Sequence, residues 1–318
     1  MENDSLRSSA SSRPGAATIG FFDGVHRGHR YLIEQVREVA RARGLASSVV
    51  TFPVHPRKVM QASFQPGLLL TRAEKLDLLY KAGIDRCIML DFTPALSQLS
   101  ARQFMALLKD RYCIEALVIG YDHRFGHNRA EGFDDYVRYG QELGMEVVLA
   151  HAYSCKVEDA NGDGQNISSS FIRSLLHQGD VSAAASCLGY DYFLQGTVVG
   201  GYHVGRTIGF PTANLKVDCL DKLIPADGVY AVRVVVDGCE YGGMLCIGLR
   251  PTLDNGTNRS IEVHIFDFHT DIYNHPMRIS FVRRTRSEQK FHSVDELIAR
   301  LHRDEAEVKN ILAQVSGK

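Results

Sequence analysis

The fold of the first half of the chain is decided by the segment Thr18-Ile19-Gly20-Phe21-Phe22-Asp23-Gly24-Val25-His26-Arg27-Gly28-His29. Its apolar run predicts a β-strand that ends at Gly20 to Phe22, Asp23-Gly24 predicts a turn, and a helical pattern begins near Arg27. In an open α/β sheet, ligands bind beyond the carboxyl ends of the strands. We therefore expect a ligand site at this turn.

The same turn carries residues that suit a phosphate group. Its glycines let the backbone approach a ligand closely, and the free N–H groups of a first helical turn point toward an anion. His26 and His29 lie three residues apart on one face of that turn, so both imidazoles can donate hydrogen bonds to phosphate oxygens. This arrangement indicates a triphosphate site. The alternative is that one histidine caps the helix and the other is incidental.

The rest of the first half alternates between strand and helix patterns. That order predicts a parallel sheet with helices on both faces. A polar loop over Glu158 to Asn166 precedes a further predicted helix, Ser169 to Gln178, and is a candidate lid. The predicted strands are Ala17 to Phe22, Ser47 to Phe52, Arg86 to Leu90, Ala116 to Ile119 and Met145 to Leu149, and the other predicted helices are Gly28 to Ala42, Arg72 to Lys81, Ala101 to Tyr112 and Phe133 to Leu143.

A second segment of the first half also suits a nucleotide. Asn166 to Arg173 places hydroxyl groups at a helix start and an arginine in the first turns. Ser168 and Ser169 are explained equally well as N-caps alone. Arg173 could neutralise phosphate charge without a protonation step. With the two histidines, these residues predict a site for adenylyl transfer, a reaction that needs positioning and charge stabilisation rather than a protein nucleophile.

From about Tyr192 the pattern changes to apolar runs separated by Asp-Gly and Asn-Gly turns. These runs predict an antiparallel barrel or sandwich, closed by a final helix over Val294 to Leu312. We place the boundary near Cys187 to Asp191, which gives a flexible tail over residues 1–15, a first domain over 16–187 and a second over 188–318. The predicted strands are Val229 to Val236, Met244 to Ile247, Ser260 to Phe268 and Met277 to Val282.

The second half has its own candidate site. The glycine-rich run Gly196 to Arg206 could cover phosphates with backbone N–H groups, although ordinary turns explain such glycines as well. Thr212 and Asn214 alternate onto one side of an extended segment, where a hydroxyl and an amide oxygen suit Mg²⁺. Glu262 lies in an apolar strand and is either a solvent-facing residue or a general base.

Composition bears on partner and compartment. The net charge of −1 gives no electrostatic case for nucleic acid or an anionic membrane as a partner. Seven scattered cysteines, with no Cys-x-x-Cys pair, argue against a disulfide framework and a zinc site and favour a reducing cytoplasm. Residues 1–15 are polar, so we expect neither a signal peptide nor a membrane anchor there.

Taken together, these segments resemble the prokaryotic bifunctional riboflavin kinase/FMN adenylyltransferase family, often called FAD synthetase. The resemblance implies an α/β nucleotidyltransferase-like, Rossmann-like N-terminal domain and a C-terminal six-stranded β-barrel flavokinase domain. It also implies that ATP and Mg²⁺ serve to phosphorylate riboflavin to FMN and to adenylylate FMN to FAD, with release of ADP and pyrophosphate. The matching segments are Gly20 to His29, Thr51-Phe52, His55-Pro56, Ile119 to Gly126, Ile167 to Arg173, Gly209 to Asn214, Asp227 to Tyr230, Ile247 to Thr252, Glu262 to His264, Arg286 and Lys290-Phe291.

The resemblance assigns roles residue by residue. The catalytic residues that it implies are Glu262, His26, His29 and Arg173, and the metal ligands are Thr212 and Asn214. The nucleotide-binding residues are Gly20, Phe22, Asp23, Gly24, Gly28, Ser168, Ser169, Gly196, Gly205, Gly209, Thr212 and Asn214. The flavin-binding residues are Asp122, Arg124, Phe125 and Arg286, and Arg286 has the alternative of a solvated arginine in a basic run.

Two other functions are compatible with parts of this pattern. A monofunctional flavokinase would keep only the second site, and a flavin storage or regulatory protein would keep the fold without the chemistry. The presence of His26, His29 and Arg173 argues against the first, and the presence of Thr212 and Glu262 argues against the second.

Overall fold

The computed structural model describes residues 13–55, 58–59, 66–120, 123–154, 156–158, 164–201, 204–250 and 258–316. The chain forms two compact units, Met1–Cys155 and Lys156–Lys318. By their contacts, the helices between residues 169 and 188 belong to the second unit. The predicted domain boundary at residues 187–188 stays a prediction. Of the predicted tail, residues 1–12 lie outside the described residues, and Gly15 already begins the first strand.

The first unit is built on a five-stranded parallel sheet. Its strands are β1 Gly15–Ile19, β2 Ala46–Thr51, β3 Arg86–Met89, β4 Ile114–Gly120 and β5 Glu146–Ala150. They lie in the order β3-β2-β1-β4-β5, and each neighbouring pair is parallel. The direction of this order reverses between β1 and β4. Such a reversal opens a crevice at the carboxyl ends of the two strands, which is where a ligand binds in this class of sheet.

Helices cover both faces of the sheet. They are α1 Arg27–Arg43, α2 Arg72–Lys81, α3 Pro94–Ser97, α4 Ala101–Tyr112 and α5 Phe133–Leu143. On one face, Val36 of α1 packs against Val118 of β4. On the other face, Phe104 of α4 and Tyr136 of α5 pack around Leu117. The predicted α/β fold is confirmed.

Local sequence signals explain why three of these helices have the predicted bounds. Thr71 begins α2 with a capping box to Glu74, and Ser100 begins α4 with a capping box to Gln103. Gly144 ends α5 in the left-handed conformation, at φ 65°. These interactions satisfy backbone groups that the helix itself leaves unpaired, so the ends are set within a few residues.

The second unit is a closed six-stranded barrel with flanking helices. Around the barrel the strands follow the order β10 (Gly228–Val236), β11 (Cys239–Arg250), β12 (Asn258–Ile265), β9 (Ala213–Val217), β8 (Phe193–Val199) and β13 (Pro276–Arg286), and neighbouring strands are antiparallel. The predicted six-stranded barrel is confirmed. The elements of this unit are β6 Lys156–Glu158, β7 Gly164–Asn166, α6 Ser169–Gln178, α7 Val181–Leu188, β8 Phe193–Val199, α8 Val204–Thr207, β9 Ala213–Val217, β10 Gly228–Val236, β11 Cys239–Arg250, β12 Asn258–Ile265, β13 Pro276–Arg286 and α9 Val294–Ser316.

Three regions of this unit differ from the sequence expectation. β8 and β9 are strands of the barrel, although their sequence was interpreted as a glycine-rich cover and a short extended segment. The expected loop over residues 158–166 contains parts of a hairpin, in which β6 pairs with β7. α7 is an additional helix that ends at Leu188, within the predicted boundary stretch Cys187 to Asp191. Within the described part of the chain, no helix is both long and apolar enough to cross a bilayer.

Candidate functional site

The turn after β1 brings His26 and His29 together. His26 is the N-cap of α1, and its Nδ1 atom accepts a hydrogen bond from the backbone N–H of His29 at 3.3 Å. The two imidazole rings are stacked, with centroids 3.6 Å apart and planes 15° apart. The Nδ1 atom of His29 is buried and has no hydrogen-bond partner among the described residues. The structure shows that His26 caps the helix, and the role of the pair as phosphate ligands stays a prediction.

Both histidines are uncharged at neutral pH. Burial lowers the pKa of His26 to about 4. Burial lowers the pKa of His29 well below its usual value, and the nearby His26 and the charge of Lys75 lower it further. Because Nδ1 of His26 accepts a hydrogen bond, the single proton of that ring lies on Nε2. Each ring therefore offers a neutral N–H donor rather than a charge.

The backbone of this turn is strained. Phe22 has φ 55°, Gly24 has φ 85° and Val25 has φ 35°. A positive φ is unfavourable for a β-branched residue such as Val25, and such strain clusters at functional sites. Hydrogen bonds stabilise this backbone conformation: the Val25 N–H donates to the Phe22 carbonyl oxygen at 3.2 Å, and the Arg30 Nε donates to the Val25 carbonyl oxygen at 3.2 Å. Sequence pattern gives no signal for it beyond Asp23-Gly24.

Asp23 and Gly20 fix the conformation of this turn through buried contacts. The Asp23 side chain is buried and accepts hydrogen bonds from the backbone N–H groups of Leu69 and Leu70, at 3.1 and 3.0 Å. A Cβ atom at Gly20 would lie 2.9 Å from the Phe22 ring, so glycine is required there. Phe22 itself is buried, and its ring lies 4.9 Å from that of His29.

A cavity of about 210 Å³ opens at the carboxyl ends of β1, β2 and β4. Its walls are mainly aromatic, with Arg124 and Arg129 as charged groups. The ring of Phe125 is stacked on Tyr136 with centroids 4.2 Å apart. Of the expected flavin-binding residues of this half, Arg124 and Phe125 line the cavity, whereas Asp122 lies outside the described residues. The aromatic residues of the lining are Phe21, Phe52, Phe92, Phe104 and Phe125, with His55 and His123 beside them.

Ser168, Ser169 and Arg173 lie at the start of α6 in the second unit. Ser168 is the N-cap and accepts a hydrogen bond from the Phe171 N–H at 3.2 Å. Ser169 is the first residue of the helix, and Arg173 follows one turn later. The expected nucleotide site joins these residues to histidines of the other unit, and that combination stays a prediction.

A second site lies in the barrel, where β9 meets β12. The Thr212 Oγ1 atom donates to the Glu262 Oε2 atom at 3.4 Å. Asn214 lies directly opposite Glu262 in the antiparallel pair of β9 and β12, and it is only 7% exposed. Thr212 and Glu262 line a cavity of about 380 Å³, together with Gly205 and Arg286. The structure thus brings five of the residues expected for the second reaction into one region.

Three glycines of this region have structural reasons of their own. A Cβ atom at Gly205 would lie 2.2 Å from the Phe210 carbonyl oxygen, and one at Gly196 would lie 2.0 Å from that of Lys216. Gly209 has φ 85°. Backbone approaches this close exclude any side chain. Their expected contacts with a nucleotide stay predictions.

Arg286 is held at the cavity wall by a residue that the sequence analysis missed. Asp304 of α9 accepts hydrogen bonds from Arg286 at 2.7 to 3.1 Å and from Arg300 at 2.8 Å. The Asp304 side chain is fully buried and that of Arg286 is 11% exposed. The interpretation of Arg286 as a solvated arginine is therefore wrong. Whether it contacts flavin stays a prediction.

Residues 8–171 match the family model described as FAD synthetase, and residues 188–312 match the model described as riboflavin kinase. A protein from Listeria monocytogenes, named bifunctional riboflavin kinase/FMN adenylyltransferase, is 36% identical over 93% of this chain and 92% of its own length. This chain belongs to the bifunctional riboflavin kinase/FMN adenylyltransferase family. A member from Escherichia coli K12 with the same name is 36% identical over 91% of this chain and 90% of its own.

A solved structure extends this likeness to three dimensions. A crystal structure described as a macrolide-efflux protein from Streptococcus pneumoniae has a TM-score of 0.84 and 33% identity, over 94% of this chain and 95% of its own. That description concerns the streptococcal protein alone. The barrel with Thr212 and Glu262 lies within the part matched by the riboflavin kinase model, and the turn with His26 and His29 lies within the part matched by the FAD synthetase model.

Proposed function

We propose that this chain, a riboflavin kinase and FMN adenylyltransferase, carries out its two reactions at the two sites described above. Riboflavin is phosphorylated to FMN in the barrel cavity, with Glu262 as the base. FMN is adenylylated to FAD at the turn after β1, with His26 and His29 as phosphate ligands. The observation that supports this most directly is that each unit holds one polar cluster beside one cavity, each within the part matched by the corresponding family model.

In the kinase reaction, Glu262 takes the proton from the terminal ribityl hydroxyl as the oxygen attacks the γ-phosphorus of ATP. The P–O bond to the β-phosphate breaks, and ADP leaves. The Thr212 hydroxyl, which donates to Glu262, keeps the carboxylate directed toward the cavity. Positioning and charge stabilisation supply most of the rate enhancement in phosphoryl transfer, so the main task of the carboxylate is to lie beside the attacking hydroxyl.

The donor atoms of Thr212 and Asn214 fit Mg²⁺. A hydroxyl and an amide oxygen are hard ligands of the kind that this ion prefers. The backbone at Gly201 lies against the Asn214 side chain so closely that a Cβ atom would be 2.4 Å from its Nδ2 atom, so the amide is held in a narrow space. When bound, Mg²⁺ would neutralise charge on the ATP phosphates. The two side chains would hold it beside the base.

In adenylyl transfer, the FMN phosphate attacks the α-phosphorus of ATP and pyrophosphate leaves. No group of the chain has to form a bond to substrate. His26 and His29 donate neutral N–H groups to phosphate oxygens, and the N-terminus of α1 adds its dipole. Arg173 carries a permanent positive charge, and its role as a phosphate ligand stays a prediction. The aromatic lining of the cavity beside the turn suits contact with the flavin ring.

We also infer that the chain works in a reducing compartment, the cytoplasm, as predicted from composition. Cys87, Cys113, Cys187, Cys219, Cys239 and Cys246 are free thiols. Its ligands are small molecules, and we propose no nucleic acid or membrane as a partner.

The test of the proposed function is a product time course. Purified chain is incubated with riboflavin, ATP and Mg²⁺, and flavins are separated by chromatography. We expect FMN to rise first and FAD to follow, and we expect EDTA to stop both. FMN without FAD would contradict the first site, and no product at all would contradict the second and favour a flavin-binding role.

A further inference from the structure

We propose that Lys75 is a positioning residue for adenylyl transfer, a buried ammonium group that fixes the two strand ends beneath the histidine turn and keeps the turn free of a second positive charge. The inference rests on the proposed role of His26 and His29. Lys75 lies in α2, outside the segments that carry the family resemblance.

The contacts of Lys75 place it at the carboxyl ends of two adjacent strands. Its side chain is 3% exposed. The Nζ atom donates to the carbonyl oxygen of Phe21, which follows β1, at 3.1 Å, and to that of Phe52, which follows β2, at 2.8 Å. It also lies 3.4 Å from the Thr51 Oγ1 atom, which in turn donates to Phe21 O at 3.1 Å. The Lys75 ammonium group therefore links the carboxyl ends of β1 and β2 by hydrogen bonds, at the crevice where we expect the ligands to bind.

The Lys75 ammonium group also contacts Phe21, a residue of the aromatic cavity at the carboxyl ends of β1, β2 and β4. The Nζ atom lies 4.2 Å from the centroid of the Phe21 ring, over its face. The Phe21 ring also makes an edge-to-face contact with the His55 ring, and the two centroids are 4.7 Å apart. A cation over an aromatic face holds the ring in place by electrostatic attraction. Lys75 thus fixes a cavity residue by its backbone and by its side chain.

The charges around Lys75 explain how a lysine is tolerated there. Burial lowers the pKa of Lys75 to about 8, Asp23 and the Cys87 thiol oppose that decrease, and Arg72 adds to it. Burial raises the pKa of Cys87 to about 11, so this thiol is neutral at pH 7 and Asp23 is the anionic partner. At neutral pH the lysine is charged. Asp23 and Lys75 then carry opposite charges beneath the turn.

This fixed charge reaches the histidines. After burial and His26, the charge of Lys75 is the remaining cause that lowers the pKa of His29. A positive charge disfavours a second one nearby, so Lys75 protects the neutral state of His29. Burial keeps His26 neutral, and in that state His26 can cap α1, because a protonated Nδ1 atom cannot accept a hydrogen bond.

The test is K75M, which keeps the length of the side chain and removes the charge. We expect kcat for FMN adenylylation to fall by at least about tenfold, since small displacements of positioned groups have effects of that size. We also expect the acid limb of its kcat/KM profile to move up by about one pH unit, because kcat/KM reports ionisation in the free enzyme. Riboflavin phosphorylation by the same protein should be unchanged.

The matched control is K81M on the same helix. Lys81 is an exposed lysine paired with Asp77 at 2.8 Å, and its loss should change neither reaction. If K75M does not fold, K75Q, which keeps an N–H donor without a charge, is used in its place. A purely structural role would lower the rate equally at every pH, and an unmoved acid limb would overturn the proposal. Loss of folding in both variants would overturn it as well.

H29A in the same assay separates this inference from the proposed function. If H29A still makes FAD at the normal rate, the assignment of the histidines is wrong. If H29A loses FAD formation while K75M keeps both rate and pH profile, only the role of Lys75 is wrong.

Discussion

His26 makes one contact that requires an uncharged imidazole and one that favours it. Its Nδ1 atom accepts the His29 N–H, and its ring is stacked on that of His29. Protonation would remove the acceptor and place a charge in a buried position. The chemistry that follows is binding of phosphate by neutral N–H donors at a helix N-terminus. It is different from the charge neutralisation that an arginine such as Arg173 supplies.

We expect the stability of the first unit to depend on pH through His26. Its pKa is lowered to about 4 in the folded chain, from 6.5, so the unfolded chain binds the proton more tightly between these values. The contribution is present above pH 6.5 and lost as pH falls toward 4. It amounts to about 3 kcal/mol in all, at about 1.4 kcal/mol per pKa unit.

Urea unfolding of the first unit between pH 4 and 7 measures this effect. H26N keeps a side-chain oxygen for the cap and cannot titrate, so its free energy of unfolding should vary less with pH over this range. H151N, which replaces an exposed histidine of the same unit, should follow the unmodified chain. A slope for H26N equal to that of the unmodified chain would show that His26 is not the titrating group.

At the scale of residues, the sequence predicted the histidine pair but not the buried Lys75 beneath it or the positive φ of Val25. Spacing alone places His26 and His29 on one turn, because helical periodicity is local. The buried Lys75 has a weak signal, since it lies four residues before the buried Leu79 on the same helix face. Its contacts with β1 and β2 depend on the packing of distant segments. The positive φ of Val25 is likewise set by its surroundings and not by its own preference.

At the scale of elements, α9 is coupled to the barrel cavity through one carboxylate. Val308 and Ile311 of α9 pack with Val229 and Met244 of the barrel. Asp304 joins Arg286 of β13 to Arg300 of the same helix. This buried triad orients Arg286 at the cavity wall, so a change in the terminal helix is transmitted to the kinase site.

D304N leaves two arginines without their buried counter-ion. Removing one member of a buried pair costs about 3–5 kcal/mol, and we expect a loss of that size in the second unit, by thermal or urea unfolding. We also expect a higher KM for riboflavin, with FMN adenylylation unchanged. In E305Q, loss of the more exposed pair with Lys309 on the same helix should cost less than about 1 kcal/mol. Equal effects of the two substitutions would contradict the role of Asp304.

Elements with strong local signals were predictable, and short or glycine-containing ones were not. α2, α4 and α5 have the predicted bounds because capping residues and left-handed glycines define them. β8 contains Gly196, whose lack of a side chain is required by the neighbouring carbonyl of Lys216, and so its strand pattern is interrupted. β9 is five residues long and pairs with β8 and β12, contacts that no local pattern reports.

At the scale of the whole molecule, the chain joins two units that each have a cavity and a polar cluster. FMN, the product of riboflavin phosphorylation, is the substrate of the adenylylation reaction. Sequence was sufficient for the two folds and the two reactions because each half carries short local motifs that together resemble one known family. The domain boundary at residues 187–188 stays a prediction, and α6 and α7, which precede it, group with the second unit by their contacts.

The measurement that tests the two-site account most directly is a complementation assay with H29A and E262Q. With riboflavin, ATP and Mg²⁺, we expect H29A to accumulate FMN only, E262Q to form no flavin product, and a mixture of the two to form FAD. With FMN supplied, E262Q should form FAD at the normal rate and H29A should form none. If folded E262Q fails to convert FMN to FAD, or if H29A still makes FAD, the two reactions do not lie at these two separate sites.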